Sequence, residues 1–274
     1  MRVLPVAGPQ QIVPRRRTSS TELHWISRPT DSAYQKPGHH GWAVVGRDLG
    51  DQDWAAIDPQ PLRKSKGVRF RFTPSLYFWQ PTGTHVWCES QEERWEVLWL
   101  EFSGQIEKLW AQPVAITFGH GSRLSGYSHF PDLMALFTDG SYGLLDVRPA
   151  DLIDNAARVQ FGETAAVCDA LGWRYRVLTG HDKRATGNLD SLSASRHDRC
   201  RPGHKTETLI LSAARGGRSR GDLCQIASPD CPPLACAWVD NLAWRRLLHV
   251  DLGGVFSSET VYTTTEAAST GAAA

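Results

Sequence analysis

The segment P-D-L-M-A-L-F-T-D-G-S-Y-G-L-L-D-V-R-P, residues 131–149, predicts two consecutive strands that fold back on each other at Asp139-Gly140. Because a hairpin brings its two outer ends together, we expect Asp132 to lie near Asp146 and Arg148. Two carboxylates with a cation beside them are suited to binding a divalent metal and a phosphate together. A structural interpretation is also open, in which Asp132 begins one strand, Asp146 ends the other and Arg148 neutralises both.

The register of this hairpin decides whether its two outer aspartates can meet. A two-residue turn at Asp139-Gly140 would place Asp132 opposite Val147 and turn Asp146 to the other face of the sheet, because successive side chains alternate between faces. We therefore predict a loop with an odd number of residues, or a bulge, so that Asp132 pairs with Asp146 or Arg148. Glycines within the segment make a bulge feasible, since glycine accepts a positive φ.

Apolar periodicity on both sides of the hairpin predicts an α/β fold with a mixed sheet. Spacings of three and four residues indicate helices, and alternation indicates strands. The core is expected to run α-β-β-β-α-β, with the last strand parallel to its neighbour through a crossover helix. The predicted flanking elements are strands at 68–72 and 76–79, a helix at 90–102, a strand at 114–118, a helix at 153–171 and a strand at 173–178.

Glu93 lies at the start of the first core helix, in E-S-Q-E-E at residues 89–93. A carboxylate there can reach the end of the sheet where the hairpin aspartates gather. Ser90 and Glu93 also have the S-x-x-E spacing of a capping box, which requires no chemistry. Both interpretations stay open, and Glu89 or Glu92 could substitute if the helix register differs.

Net charge gives no direct indication of a nucleic-acid partner. The chain has 274 residues, 22% charged residues and a formal charge of +1, so a nucleic-acid partner would have to bind local basic patches. Such patches are more often solvated faces than DNA contacts. The patches are Arg15–Arg17, Arg63–Lys64 with Lys66, Arg215–Arg220, and Arg245–Arg246.

The N-terminal segment has no apolar stretch after its basic residues, and no apolar run approaches the roughly 18 residues that span a bilayer. We therefore expect no secretory signal, no membrane partner and a cytoplasmic location. In that compartment the six cysteines are expected to be reduced. A zinc site is not favoured because the Cys-x-x-Cys spacing is missing. Its candidate ligands would be Cys200, His204, Cys224, Cys231 and Cys236.

The order and spacing of several short motifs resemble the PD-(D/E)xK restriction-endonuclease-like core, and more narrowly the TnsA-like endonuclease subunits of heteromeric transposases. The motifs are H-V-W-C-E-S-Q-E-E (85–93), A-Q-P (111–113), H-F-P-D (129–132), L-D-V-R-P-A (145–150) and L-G-W-R-Y-R-V-L (171–178). This resemblance covers residues 83–180. It extends more weakly over 238–261, through N-L-A-W-R-R-L-L-H-V-D-L at 241–252.

The resemblance implies a role for each candidate site residue. Glu93 matches the helix acid, Asp132 the P-D acid and Asp146 the acid of the last motif. Together with the Val147 carbonyl they would hold Mg²⁺ or Mn²⁺. Arg148 stands where the family typically has lysine. Because arginine stays charged, Arg148 can orient or stabilise a phosphate but cannot accept a proton.

The implied function is that of a metal-dependent DNA endonuclease subunit, which hydrolyses a phosphodiester at transposon ends. Its implied partners are double-stranded DNA, a transposase subunit of the DDE type and a regulatory ATPase. Two alternatives stay open: a restriction or repair nuclease of the same fold, and a catalytically inactive DNA-binding or scaffold subunit. The second is favoured by arginine in the lysine position.

Changes in composition along the chain predict its domain organisation. The predicted parts are a poorly ordered or loosely packed arm at 1–66, a nuclease-like domain at 67–180, a linker at 181–205, a small C-terminal region at 206–262 and a disordered tail at 263–274. We expect the C-terminal region to be mainly helical, with a winged-helix-like arrangement among its options. It would bind DNA or a protein partner.

Overall fold

The computed structural model describes residues 12–14, 18–28, 39–47, 49, 52–62 and 74–265. The chain divides into two compact units, Met1–Gly180 and His181–Ala274. The predicted strand at 68–72, two of the basic patches and residues 266–274 of the predicted tail lie outside the described residues. None of the described helices is long and apolar enough to cross a membrane.

Fifteen strands and seven α-helices form the described part of the chain. The strands are β1 (Ile12–Pro14), β2 (Glu22–Ser27), β3 (His40–Val44), β4 (Pro59–Gln60), β5 (Ser75–Trp79), β6 (Thr84–Cys88), β7 (Ile106–Ala111), β8 (Val114–Thr117), β9 (Tyr127–His129), β10 (Leu133–Phe137), β11 (Tyr142–Val147), β12 (Arg174–Leu178), β13 (Arg218–Ser219), β14 (Leu248–Val250) and β15 (Val261–Thr264). The α-helices are α1 (Trp54–Ile57), α2 (Gln91–Ser103), α3 (Asn155–Ala170), α4 (Lys183–Ser193), α5 (His204–Ala213), α6 (Arg220–Ala227) and α7 (Pro232–Trp244).

A four-stranded mixed sheet carries the hairpin in the first unit. Its strand order is β12-β11-β10-β7, with β10 antiparallel to both of its neighbours and β11 parallel to β12. Helix α2 precedes β7, and α3 connects β11 to β12. The strands of this sheet, with α2 and α3, run α-β-β-β-α-β along the chain as predicted, but β8 and β9 of another sheet intervene between β7 and β10. The first strand of the sheet is β7, and the predicted strand at 114–118 became β8 of that other sheet.

The second sheet of this unit incorporates the described strands of the N-terminal region, which corrects the prediction of a poorly ordered or loosely packed arm at 1–66 for those strands. Its order is β1-β9-β8-β2-β3, with β4 also paired to β2. Leu23 of β2 pairs with Ile116 of β8, and both side chains are fully buried. Strand β2 is stabilised by pairing with β8, about 90 residues further along the chain. The local pattern of a short polar strand gives little sign of such pairing.

One hydrophobic cluster joins the two sheets and α3. It therefore combines residues from the N-terminal strands with residues from the hairpin, so the N-terminal region is part of the core. The cluster contains Leu23, Trp54, Trp110, Val114, Ile116, Phe118, Met134, Leu144, Val167 and Cys168.

A three-residue loop, Thr138 to Gly140, sets the hairpin register. The Phe137 amide donates to the Ser141 carbonyl at 2.8 Å, and the Gly140 amide donates to the Phe137 carbonyl at 2.9 Å. Gly140 has a φ of 82°, the left-handed conformation that such loops require at this position. Pairing then proceeds from Leu136↔Tyr142 to Leu133↔Leu145 without a shift. The prediction of an odd loop is confirmed.

The second unit contains α4 to α7 and a three-stranded antiparallel sheet with the order β13-β15-β14. The predicted linker at 181–205 is wrong, because α4 forms there and buries Leu189 and Leu192. Asn188 ties this helix to the loop after β14, since its amide donates to the carbonyls of Leu252 at 2.7 Å and Gly254 at 2.9 Å. Two leucines in eleven residues form too weak a stripe to predict a helix.

The predicted start of the C-terminal tail is also corrected. The predicted tail begins at residue 263, but Thr263 and Thr264 belong to β15 and pair with β14. Their pairing partners lie about 15 residues earlier in the chain, so the polar T-T-T run by itself gives no sign of a strand.

Asp58 joins the two sheets of the first unit by accepting three hydrogen bonds. The donors are Trp110 Nε1 at 2.9 Å, Lys108 Nζ at 2.9 Å and Arg28 Nε at 2.8 Å. Burial acts to raise the pKa of the Asp58 carboxyl. The hydrogen bonds from Lys108 and Trp110 and the charges of Lys108 and Arg28 outweigh burial, so the pKa lies below its ordinary value of 3.8.

Replacing Gly140 by alanine should destabilise the first unit by about 1 kcal/mol, because alanine is strained at a positive φ. Nothing lies within 4 Å of a Cβ built at Gly140, so the effect is conformational and not steric. The matched control is Gly162→Ala in α3, where nothing lies within 4 Å either and alanine favours the helix. Urea unfolding should show a lower free energy of unfolding for Gly140→Ala and a higher one for Gly162→Ala. A change of the same sign in both variants would contradict the assigned turn.

The variant Asp58→Asn should lower the free energy of unfolding by about 1 kcal/mol at neutral pH, a value reduced for solvent screening. Asparagine tolerates the left-handed backbone at this position, where φ is 46°, so the change mainly removes charge. Because the folded pKa is depressed, the stabilisation is present above the ordinary pKa and is lost as the pH falls through the folded pKa. The difference from wild type should shrink below about pH 4. Glu107→Gln, at an exposed acid of β7, is the control expected to show no such loss.

Candidate active site

The two hairpin aspartates lie at one edge of the four-stranded sheet, where β7, β11 and β12 end and β10 begins. The chain is held there by backbone hydrogen bonds from Gln112 to the Asp132 carbonyl and from Arg148 to the Leu178 carbonyl, both at 2.8 Å. Asp146 is 0% exposed and Asp132 is 4% exposed. Buried carboxylates are expensive unless they are hydrogen-bonded or paired, so the partners of these two decide what the edge can do.

Asp132 and Asp146 lie one residue beyond Leu133↔Leu145, the last pair of the regular register. Continuation of that register would place both side chains on one face of the sheet. Asp132 Oδ2 accepts a hydrogen bond from the Val147 amide at 2.8 Å, which fixes this side chain against β11. The three-residue loop therefore gives the two aspartates the strand parity that the predicted site requires.

Asp146 is the centre of a buried polar network. Its Oδ2 accepts hydrogen bonds from His129 Nε2 at 3.0 Å and from the Tyr175 hydroxyl at 2.5 Å. Gln160 Nε2 lies 2.9 Å from His129 Nδ1, so an amide donating to Nδ1 leaves the ring proton on Nε2, where it faces the carboxylate. Asp146 Oδ1 is buried and has no hydrogen-bond partner among the described residues.

The surroundings of Asp146 have a low dielectric and a negative potential. Burial raises the pKa of the Tyr175 hydroxyl well above its usual range, and the charge of Asp146 adds to this effect, so the phenol stays protonated as a donor. Burial and then the same carboxylate raise the pKa of the Cys168 thiol to about 12. Both shifts show that the Tyr175 hydroxyl and the Cys168 thiol stay protonated beside the Asp146 carboxylate.

Glu93 caps helix α2. Its Oε2 accepts from the Glu89 amide at 2.8 Å, and its Oε1 accepts from the Ser90 hydroxyl at 3.1 Å. Ser90 in turn accepts from the Glu93 amide at 3.1 Å. The capping-box interpretation is confirmed, and both carboxylate oxygens take part in it.

The Arg148 side chain contacts a neighbouring turn. Its Nε donates to the Leu152 carbonyl at 3.1 Å, which anchors the 3-10 turn Ala150–Leu152. The guanidinium is thus held after β11, two residues beyond Asp146. Within the described part of the chain it has a hydrogen bond to the turn and none to either aspartate.

Sequence reasoning missed four buried or half-buried polar residues of this edge. His129 stands in the H-F-P-D motif without a predicted role, whereas only folding brings Tyr175 of β12 to Asp146 and Gln160 of α3 to His129. Glu96 of α2 is also buried, and its Oε1 accepts from the Gly180 amide at 2.8 Å, so it ties α2 to the chain that follows β12. The position of His129, three residues before Asp132, is a sequence feature that could have predicted its place in the site. No sequence feature predicts the positions of Gln160, Tyr175 and Glu96.

The arrangement offers two carboxylates to a cation. No group of three or more His, Cys, Asp or Glu side chains that could hold a metal ion occurs among the residues that the structure describes. The orphaned Oδ1 of Asp146 nevertheless fits a cation, because a buried carboxylate oxygen without a donor is satisfied by a positive charge. No family model matches this chain, and no curated protein matches it.

The variant Tyr175→Phe should lower the free energy of unfolding by about 1–3 kcal/mol, because it removes one of two donors from a fully buried carboxylate. Tyr142→Phe is the matched control: it lies on the same face of the sheet and its hydroxyl makes no hydrogen bond in the described structure. That control should change stability by less than about 0.5 kcal/mol. Chemical denaturation of both variants measures the difference, and equal effects would show that the bond to Asp146 contributes nothing.

Proposed function

We propose that this chain is a metal-dependent DNA endonuclease, the strand-cutting subunit of a heteromeric transposase, built on a PD-(D/E)xK core. The observation that carries the proposal is that Asp132 and Asp146 are both buried at one sheet edge, directly beyond the pair Leu133↔Leu145, and that Asp146 Oδ1 has no hydrogen-bond partner among the described residues. The sheet order β12-β11-β10-β7, with α2 before it and α3 in the crossover, supports the proposed core. Motif order and spacing supply the narrower resemblance.

Asp132, Asp146 and the Val147 carbonyl would hold Mg²⁺ or Mn²⁺, since both ions prefer oxygen ligands. When bound, the ion supplies an acidified water and neutralises charge on the scissile phosphate. His129 and Tyr175 hold the Asp146 carboxylate through Oδ2 and leave Oδ1 for the ion. The Val147 amide orients Asp132 in the same way.

Arg148 and Glu93 have narrower roles in this proposal. Arg148 uses Nε for the Leu152 carbonyl, so its terminal amino groups are the part that can stabilise charge on a phosphate oxygen. Glu93 would hold a metal-bound water or a second ion only after release from Ser90 and Glu89, so we assign it first to the helix cap.

A catalytically inactive scaffold subunit is the second candidate. It is favoured by the engagement of both Glu93 oxygens and by the hydrogen bond of Arg148 to Leu152. On this alternative, the Asp146 network serves only to join β9, β11, β12 and α3. A restriction or repair nuclease of the same fold would cut by the same site, and would differ by cutting without transposon ends or a transposase partner.

The surface of the second unit is better suited to binding a protein than to binding DNA. Its element order is α5-β13-α6-α7-β14-β15, with β15 central in the sheet, and this order supports a winged-helix-like arrangement in which α7 would be the recognition helix. Helix α7 contains no lysine or arginine, and the wing at 251–260 contains Asp251 and Glu259 but no basic residue. DNA binding relies on cations that neutralise phosphates, whereas here Leu234 is 54% and Val255 74% exposed. We assign this unit to contact with the DDE transposase or the ATPase.

Nicking of supercoiled plasmid with Mg²⁺ or Mn²⁺ tests the proposal. Asp132→Asn and Asp146→Asn should abolish nicking, and Asp139→Asn in the exposed turn of the same hairpin should not. Asparagine is preferred to alanine because Asp146→Ala would leave the buried donors of His129 and Tyr175 unsatisfied and so destabilise the fold. If repulsion between the two carboxylates were the only effect, removing one of them would leave the free energy of unfolding unchanged or slightly raised.

Two further measurements separate the candidates. Arg148→Ala should slow nicking by roughly 30- to 1,000-fold, the range for loss of one charge-stabilising donor, and Arg148→Lys should retain it. Calorimetric titration with Mn²⁺ should show binding to the wild type and none to Asp146→Asn. A folded wild type that neither binds Mn²⁺ nor nicks DNA would favour the scaffold.

A further inference from the structure

Two thiols of the second unit face each other across the α6–α7 contact. Cys224 of α6 and Cys236 of α7 have sulfur atoms 3.3 Å apart, with the Cys224 thiol donating to Cys236. The Cys236 thiol donates in turn to the Pro232 carbonyl at 3.7 Å. Both are free cysteines, and a lone pair of the Cys236 sulfur is directed at Cys224.

An ion pair also joins α6 to α7, one helical turn from the two cysteines. Arg220 donates to Asp240 from Nε at 2.9 Å and from Nη2 at 2.6 Å, and the Tyr262 hydroxyl donates to Asp240 at 3.1 Å. Arg220 precedes Cys224 by four residues, and Asp240 follows Cys236 by four. The ion pair and the thiol pair are therefore successive contacts between α6 and α7, and the first restrains the geometry of the second.

The separation of the sulfurs lies within reach of a bond. A disulfide requires about 2.05 Å, so the two atoms must approach by about 1.3 Å, which rotation of the two side chains can supply. A zinc site is a poorer fit, because the part of the chain that the structure describes contains no third ligand beside this pair.

We propose that Cys224 and Cys236 form a reversible disulfide when the protein meets a hydroperoxide, and that this bond links α6 to α7 covalently. The site is independent of the proposed nuclease function. In a reducing compartment such a bond is transient, which is the behaviour of a redox-sensing pair and not of a structural staple.

Exposure assigns the two chemical roles. Cys236 is half-buried and can meet the oxidant, whereas Cys224 is 2% exposed. The Cys236 thiol loses its proton, and its sulfur attacks a peroxide oxygen and breaks the O–O bond; this gives a sulfenic acid and, from hydrogen peroxide, a hydroxide that takes the lost proton to become water. The Cys224 sulfur then attacks the Cys236 sulfur, the S–O bond breaks, and the departing hydroxide takes the Cys224 proton. Two thiols and one hydrogen peroxide thus become one disulfide and two waters.

The protonation of Cys224 agrees with this order of steps. Burial raises the pKa of the Cys224 thiol to about 12, and the hydrogen bond to Cys236 adds to this effect. In the reduced protein Cys224 is therefore a protonated thiol and a slower nucleophile toward peroxide than a thiolate, which leaves it the role of the resolving cysteine.

The test uses the full-length, reduced protein treated with hydrogen peroxide and then unfolded in a thiol-reactive dye. Titratable thiols should fall from six to four, and dithiothreitol should restore all six. Mass spectrometry of a digest should show the peptides of Cys224 and Cys236 joined, with a loss of two hydrogens. Cys236→Ser should retain all of its remaining five thiols, whereas Cys231→Ser, at the exposed cysteine just before α7, should still lose two.

Three results would overturn the proposal: six thiols after oxidation, a cross-link that involves Cys231 or Cys200, or over-oxidation of Cys236 with no cross-linked peptide. The wild-type digest decides the matter by itself, so the conclusion stands even if Cys236→Ser does not fold.

Discussion

The left-handed conformation of Gly140 is the constraint on which the candidate site depends. It closes a three-residue loop, and that loop sets a register whose last pair is Leu133↔Leu145, so that Asp132 and Asp146 have the same strand parity. One residue fewer would have sent the two carboxylates to opposite faces, because a strand alternates its side chains with a period of two. A single backbone angle at the far end of the hairpin therefore determines which chemistry can occur at its open end.

Burial of Asp146 makes the same contacts serve both stability and the candidate site. A buried carboxylate needs donors, and β9 and β12 provide them through His129 and Tyr175, while α3 supports His129 through Gln160. A network that only joined these elements would need nothing more. The Oδ1 atom has no hydrogen-bond partner among the described residues, and it is the position that the proposed metal ion would take.

Contacts between distant segments of the chain hold each unit together. In the first unit, Asp58 binds Arg28 of the N-terminal region and Lys108 and Trp110 of β7. In the second, the Arg220–Asp240 ion pair and the thiol contact beside it join α6 to α7. Charged groups at such junctions are satisfied by partners from other elements, which specifies how the elements pair as well as stabilising them.

The sequence by itself determined the features that depend on neighbouring residues. These are the helices α2 and α3, the Ser90–Glu93 cap of α2 and the hairpin at 131–149, which follow from local periodicity, capping and turn chemistry. The odd loop was expected only because the proposed site requires Asp132 and Asp146 to share a face. Only the tertiary structure decided that the strand at 114–117 leaves the hairpin's sheet to pair with β2, and that Gln160 and Tyr175 reach the site. Those choices depend on hydrogen bonds and packing between segments tens of residues apart, whose free energy is not encoded in either segment alone.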